Sequence, residues 1–384
     1  MSRRLSTDPP HRARDLFPLL DEHAAAGDAQ GQLAEEVVDA LHTERLWGMW
    51  VPEALGGFEL DPVSSLELIE SLAYGDPSTG WVLMAAALAT GTGGAYLGDE
   101  AVESLFAGER LPVIVGQGTR PGSAVAENGG FLLSGSWSFA SGIKHATHIH
   151  TLAIVEGTGE PRIFVLPLAE ATLIDNWDVL GLRATGSIDY TIDSVFVSEP
   201  FTHFATTETP LRGGSLYHMG IPGFAAICHT GWALGVARRL LDELAALAHA
   251  KAGRAAAQAA NDSFLSGYEQ AEGQLRAARA LAFETWRDAW QTLAAGDRLS
   301  VRQQSLIRLG ITHATAAAHE VGVFVYGAAG TTALRSGTIQ RVFRDLHAGT
   351  QHMIVSPPVR QTIARELAGL AEGKVWRFMD LVDT

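Results

Sequence analysis

Glu127-Asn-Gly-Gly-Phe-Leu-Leu-Ser-Gly-Ser-Trp-Ser-Phe139 is the stretch on which the architecture turns. Its Asn-Gly-Gly supplies the residues that tolerate positive φ in a tight hairpin, and the apolar run after it is short and β-prone. Outward from it, Leu111-Pro-Val-Ile-Val115, Thr151-Leu-Ala-Ile-Val155, Arg162-Ile-Phe-Val-Leu166 and Tyr190-Thr-Ile-Asp-Ser-Val-Phe-Val197 read as further strands. No helix-length periodic segment separates them. A βαβ sheet is therefore disfavoured, and a small antiparallel barrel or sandwich is predicted.

Helical patterns flank this zone. Val37, Leu41 and Leu46 recur at helical spacing, and Ser64 to Leu72 continues the style. Asp76-Pro-Ser-Thr79 is a turn with capping residues, and it opens the nearly polar-free run Trp81–Ala89. Beyond about residue 222, Leu234, Leu241 and Leu244 form one stripe, with Gly231 and Gly235 placed to let a second helix approach closely. Leu275, Ala278, Ala282, Trp286, Ala289 and Leu293 form another; a third covers 301–326, broken at Gly327, and a fourth runs from Gln361 to Leu381. The predicted division is a helical domain over 1–110, a β domain over 111–210 and a helical bundle over 211–384.

The 384 residues are 47% hydrophobic and 18% charged, an ordinary globular balance with enough apolar mass for more than one core. A net charge of −15 repels phosphate backbones and anionic lipid, so neither nucleic acid nor a membrane surface is an expected partner. The single cysteine, Cys228, sits in the apolar run Phe224-Ala-Ala-Ile-Cys-His229 and reads as a buried, inert thiol. Met1-Ser-Arg-Arg4 leads into Asp8-Pro-Pro rather than an apolar stretch, so a signal peptide is not expected and the location is read as cytoplasmic. Gly-x-Gly-x-x-Gly after a strand, a phosphate loop and Gly-x-Ser-x-Gly are all missing. His145, His148 and His150 lack nearby carboxylates at ligand spacing, so no metal is expected.

Three segments carry a resemblance: Gly135-Ser-Trp-Ser-Phe-Ala-Ser-Gly142 with His145, Trp177-Asp-Val-Leu-Gly-Leu-Arg-Ala-Thr-Gly-Ser187, and Arg344-Asp-Leu-His-Ala-Gly-Thr-Gln-His352. In order and spacing the chain resembles the acyl-CoA dehydrogenase superfamily over nearly its whole length. Within it, the chain is most similar to the reduced-flavin-dependent monooxygenases, such as the oxygenase components acting on 4-hydroxyphenylacetate and dibenzothiophene. The resemblance implies an N-terminal helical domain, a central antiparallel β-barrel, a C-terminal four-helix bundle and a homotetramer.

Thioester dehydrogenation needs a positioned carboxylate base. The superfamily places it after the Arg-Asp pair or on the first helix of the last domain. No Asp or Glu occurs between Asp345 and Glu366, and none between Glu208 and Asp242. Where the base would stand there are the imidazoles His347 and His352. By position after Arg-Asp, the resemblance makes His352 the active-site histidine. Its ordinary pKa near 6.5 predicts a titration between about pH 6 and 8. His347 and His145 are the next candidates.

Ser141 resembles the Ser/Thr whose hydroxyl faces flavin N5, with Phe139 and Ala140 along the ring and Gln117 and Gly118 in the preceding flavin-contacting loop. Two departures stand out. Ala89 occupies the position of a second histidine found in several phenol hydroxylases of the family, and Arg254-Ala-Ala-Ala-Gln258 is a poor match to the segment that clamps FAD adenosine. FMN is therefore the expected flavin, with FAD as the alternative.

The resulting expectation is an oxygenase component that takes reduced flavin from a separate reductase. With O2 it would oxygenate a small organic substrate through a flavin C4a-hydroperoxide, as the resemblance implies, with aromatic carbon as the expected target and nitrogen or sulfur as further options. The alternatives are an acyl-CoA dehydrogenase-type enzyme with a non-standard base and a catalytically silent flavin-fold scaffold.

Overall fold

A computed structural model describes residues 8–251 and 261–383. The first region is helical: α1 (Pro9–Asp15), α2 (Phe17–Gln30), α3 (Glu35–Thr43), α4 (Pro62–Gly75), α5 (Pro77–Tyr96) and α6 (Asp99–Phe106). Two aspartates start the central pair. Asp61 accepts the backbone N–H groups of Val63 and Ser64 ahead of α4, and Asp76 accepts Thr79 N–H at 2.8 Å ahead of α5. Such caps satisfy donors that a helix leaves orphaned. Almost every residue of α5 is buried, as its lack of polar positions predicts.

Seven strands follow: β1 (Ile114–Glu127), β2 (Gly130–Trp137), β3 (His148–Val155), β4 (Pro161–Pro167), β5 (Thr172–Ile174), β6 (Asp189–Ser198) and β7 (Thr202–Phe204). The Asn-Gly-Gly turn joins β1 to β2 with Glu127 opposite Gly130. The expected antiparallel barrel is not formed. The sheet is open and mixed, in the order β5-β6-β2-β1-β3-β4-β7, because β1 pairs with β3 in parallel. The physical cause is local. β2 runs back along one edge of the second half of β1, from Glu127↔Gly130 to Ser123↔Ser134, toward the end where β1 starts, and the loop 138–147 then carries the chain to the other edge. From there β3 begins opposite the same end, Ile114 against His148. The short strands β5 and β7 stand at opposite edges and do not meet.

The remaining helices are α7 (Gly220–Ala250), α8 (Asp262–Ala294), α9 (Val301–Ala329), α10 (Thr338–Gly349) and α11 (Pro357–Leu367), closed by the hairpin β8 (Lys374–Arg377) and β9 (Asp380–Asp383). A Cβ on Gly235 of α7 would stand 2.2 Å from Glu70 O of α4, so this crossing requires glycine, as the spacing of Gly231 and Gly235 suggests. α7 is long and apolar enough to cross a membrane by length and composition, yet most of it is buried between α4, α5 and α9.

Three readings of this region change. Helix α9 continues through Gly327 to Ala329, since one glycine weakens a helix without ending it. The stripe from Gln361 to Leu381 is not one helix: α11 stops at Leu367, Gly369 and Gly373 take positive φ, and the chain turns into β8 and β9. In the sequence the apolar stripes containing Leu241, Trp286 and Leu293 look broader than one bundle needs, as the contact surface of a tetramer would; the chain's own helices bury all three to 1% exposure or less, so they are not that surface.

Candidate functional site

The crossover that makes β1 and β3 parallel also builds the site. Loop 138–147 holds Phe139 at φ 68° and Ser141 just before Gly142, at the end of the sheet that faces α5 and α7. β1 shifts register between Gln117 and Gly122, a bulge that brings Gly116 to Gly118 to the same place. Bulges beside sites re-aim backbone and side chains in this way. The loop 177–187 closes the third side. A Cβ on its Gly181 would lie 2.1 Å from Arg344 O, so only glycine lets it seat against α10.

Between these elements lies a cavity of about 630 Å³. Its walls are mainly apolar and aromatic, including Trp81, Met84 and Leu88 of α5 and Trp177 and Phe139 at the mouth. Such a volume lies within the range of small-molecule and cofactor sites. Of the residues singled out in the sequence, Gln117, Gly118, Phe139, Ser141 and His352 all line it. Ala140 does not: it is fully buried, and its N–H donates to Ile188 O at 3.2 Å. Arg254 lies outside the described residues. His347 packs against Phe343 and His319 and donates from Nδ1 to Phe343 O at 2.8 Å, away from the cavity, and His145 is not on its wall either.

Ser141 is held in a hydroxyl chain whose direction can be derived. Thr185 Oγ1 donates to Leu182 O at 2.7 Å, so in its 2.6 Å contact with Ser187 the Ser187 hydroxyl is the donor. In the 2.8 Å contact between Ser187 and Ser141 the proton then comes from Ser141, while Trp81 Nε1–H donates to Ser141 Oγ at 3.0 Å. A hydroxyl has one proton and two lone pairs. With its proton committed to Ser187 and one lone pair taken by Trp81, Ser141 has one lone pair left, an acceptor for a ligand N–H.

His352 caps a short turn, its Nδ1 accepting Ile354 N–H at 3.3 Å, so the neutral ring carries its proton on Nε2. Its partner was missed in the sequence. His229 of α7 stacks 4.0 Å from His352 between ring centroids, and Trp81 stands edge-on to both, at 5.0 Å and 5.9 Å. The only available signal was that His229 neighbours Cys228 on the helix whose carboxylate base is missing. Burial pushes His352 down to about 4, and burial together with His352 pushes His229 well below its ordinary value. Both rings are neutral at neutral pH, and the titration expected between pH 6 and 8 is displaced downward. Cys228 also lines the cavity, but burial raises its thiol so far that it stays protonated.

No Asp or Glu among the described residues lines the cavity, and no group of three His, Cys, Asp or Glu among them could hold a metal. The nearest structural carboxylate of the Arg-Asp pair works from behind. Asp345, 1% exposed, accepts Leu182 N–H at 2.6 Å and so pins the loop that carries Thr185 and Ser187. Arg344 holds the same loop through Leu180 O at 2.7 Å and pairs with Asp28 at 2.9 Å.

Burial, reinforced by Asp76, pushes the Asp345 carboxyl up to about 7. A folded value above the unfolded value of about 3.9 means that stability falls as pH rises from about 4 through about 7. Asp345→Asn keeps an acceptor for Leu182 and removes this ionisation. Relative to the variant, wild type should lose on the order of 1–4 kcal/mol across that window. Thermal melts of both proteins from pH 5 to 8 check this; parallel curves would show that Asp345 does not titrate in the folded chain.

The residues present fit a flavin ring. The slot is flanked by Trp177 and by Phe139, which is 66% exposed, and a Cβ on Gly118 would meet nothing within 4 Å, so the backbone there is open to a ligand. Ser141 offers a directed acceptor for a ring N–H. Comparison with known proteins agrees. The family models for the acyl-CoA dehydrogenase N-terminal and C-terminal domains match residues 18–105 and 227–357. Indole-3-acetate monooxygenase of Pseudomonas putida is 31% identical over 335 residues, covering 85% of this chain and 84% of that protein. The flavin-dependent monooxygenase oxygenase subunit HsaA of Mycobacterium tuberculosis is 27% identical over 360 residues, covering 89% of this chain and 90% of HsaA. Among solved structures, XiaF from Streptomyces sp., in complex with FADH2 and glycerol, superposes with a TM-score of 0.86 at 21% identity, over 94% of this chain and 95% of XiaF.

Proposed function

This chain belongs to the acyl-CoA dehydrogenase superfamily, among its flavin-dependent monooxygenases, and from that premise we propose that it is the oxygenase component of a two-component system acting on a small aromatic substrate. The observation that carries the reading is a cavity with paired neutral imidazoles and a directed hydroxyl, and with no carboxylate among its described lining residues. A dehydrogenase with a non-standard base finds no support in that wall.

Reduced flavin, when bound, supplies two electrons to O2, so that one oxygen atom enters the substrate and the other leaves as water. The chain's own residues do the rest. Ser141 would accept a hydrogen bond from N5–H, which reduced flavin has and oxidised flavin lacks. Trp81 and Ser187 keep that lone pair directed. His352 would donate a hydrogen bond from Nε2–H to the reacting oxygen, with His229 against its face. The apolar walls exclude water, which strengthens each of these contacts.

A separate flavin reductase is the implied partner, because no nicotinamide-binding motif is present. The reading extends to FMN as the preferred flavin, a cytoplasmic homotetramer and domain limits near residues 110 and 210. Light scattering tests the assembly. The direct test of the activity mixes protein loaded with reduced FMN against oxygenated buffer. An absorbing transient that precedes the return of oxidised flavin is the expected result, and direct return with stoichiometric peroxide would sink the reading.

A further inference from the structure

Arg308 is the only formally charged side chain among the described residues that line the cavity, in a protein whose net charge is −15. It projects from α9 beside Ile311, which shares the wall one turn on. Its head group is fixed by two carbonyls, Nη1 donating to Gln304 O at 3.1 Å and Nη2 to Phe378 O at 2.7 Å, and by stacking 4.1 Å over Trp376. These contacts orient the guanidinium and leave part of its five-donor fork unused.

Every contact named is neutral. No carboxylate among the described residues forms an ion pair with Arg308, although fourteen arginine or lysine pairs with carboxylates occur among them. Glu208 acts on it only at longer range. Burial lowers its pKa to about 10, which leaves it charged at neutral pH. Arg308 is partly buried, and a cation that has lost part of its hydration without a counter-ion beside it is costly unless a ligand supplies one. The planar fork matches a carboxylate or phosphate with two parallel hydrogen bonds.

We infer that Arg308 is an oxyanion subsite of this cavity and that the anion is the carboxylate of an aromatic acid substrate, its ring held by the apolar walls. This rests on the monooxygenase reading and narrows its substrate class. The other source of such an anion is the flavin phosphate, and the two are separable by experiment.

Calorimetry on the full chain compares indole-3-acetate with 3-methylindole, and 4-hydroxyphenylacetate with 4-methylphenol; each pair differs by the carboxylate. Wild type should bind at least one acid about ten-fold or more tightly than its neutral partner, since hydrogen bonds to a charged group are the stronger kind. Arg308→Gln should erase that preference while leaving the neutral compound within about three-fold, and Arg308→Lys should retain part of it. FMN and riboflavin are titrated in parallel. Three outcomes overturn the subsite: no acid preference in wild type, equal weakening of acid and neutral partner in Arg308→Gln, or loss of FMN over riboflavin selectivity with the acid preference intact. The second would make Arg308 only an anchor for the Phe378 turn, and the third would assign it to the flavin phosphate. The oxygen-mixing experiment on wild type reports separately. If it shows no transient while the acid preference stands, the oxygenation reading fails and the subsite does not.

Discussion

Replacing His352 with alanine should lower oxygenated product by about 10²–10⁴-fold while flavin affinity changes little, the range typical for loss of one general acid–base group. His352 stands on the cavity wall with its proton on Nε2, and no described carboxylate there can substitute for it. The control is His347→Ala, which should leave turnover near wild type because that ring is bonded to Phe343 O outside the cavity. The pH profile adds a second readout. Because burial holds His352 at about 4, its ionisation should not shape turnover between about pH 6 and 8 in the free enzyme. An inflection in that range that vanishes in His352→Ala would mean that a bound ligand restores the ordinary imidazole value. Unchanged coupling and rate in the variant would reduce His352 to the cap of its turn. His229→Phe should keep the stacking and lose any shared proton, separating packing from proton handling.

The second large effect belongs to Ser141. Ser141→Ala removes the acceptor directed into the cavity and also leaves Trp81 Nε1–H without its partner. An unsatisfied buried polar group costs about 1–3 kcal/mol, which predicts roughly ten- to hundred-fold faster loss of the oxygenating transient as peroxide. Ser187→Ala refines the test. It leaves the Ser141 hydroxyl in place but frees its proton, so Ser141 becomes able to donate to oxidised N5 as well. The ratio of affinities for reduced and oxidised flavin should fall in Ser187→Ala, whereas a purely structural role would weaken both forms alike. Peroxide release identical to wild type in Ser141→Ala would place the flavin elsewhere.

Much of this site was legible before folding because its signals are local. The serine before Gly142 and the histidine after Arg344-Asp345 stand in short motifs whose spacing survives any tertiary arrangement. The missing carboxylates could be counted directly, and no Asp or Glu stands among the described residues of the cavity wall. Ala140 stands off the cavity wall because its side chain turns into the core while Phe139 and Ser141 on either side reach the cavity. The stripes containing Leu241, Trp286 and Leu293 are wide because several helices of the same chain cover them, a number that no single helix's period specifies.

What the sequence determined by itself is the set of elements: the Asn-Gly-Gly hairpin, the aspartate-capped helices α4 and α5, and the long apolar helices after residue 220. Turn chemistry, capping and side-chain period act over a few residues, so they are written where they operate. Only the tertiary structure decided the parallel pairing of β1 with β3, the meeting of His229 with His352, the direction of the Trp81–Ser141–Ser187–Thr185 chain, and the isolation of Arg308 from any described carboxylate. Each depends on which groups remain unpartnered after distant segments pack, and hydrogen-bond polarity and charge pairing follow from three-dimensional neighbours that no local pattern specifies.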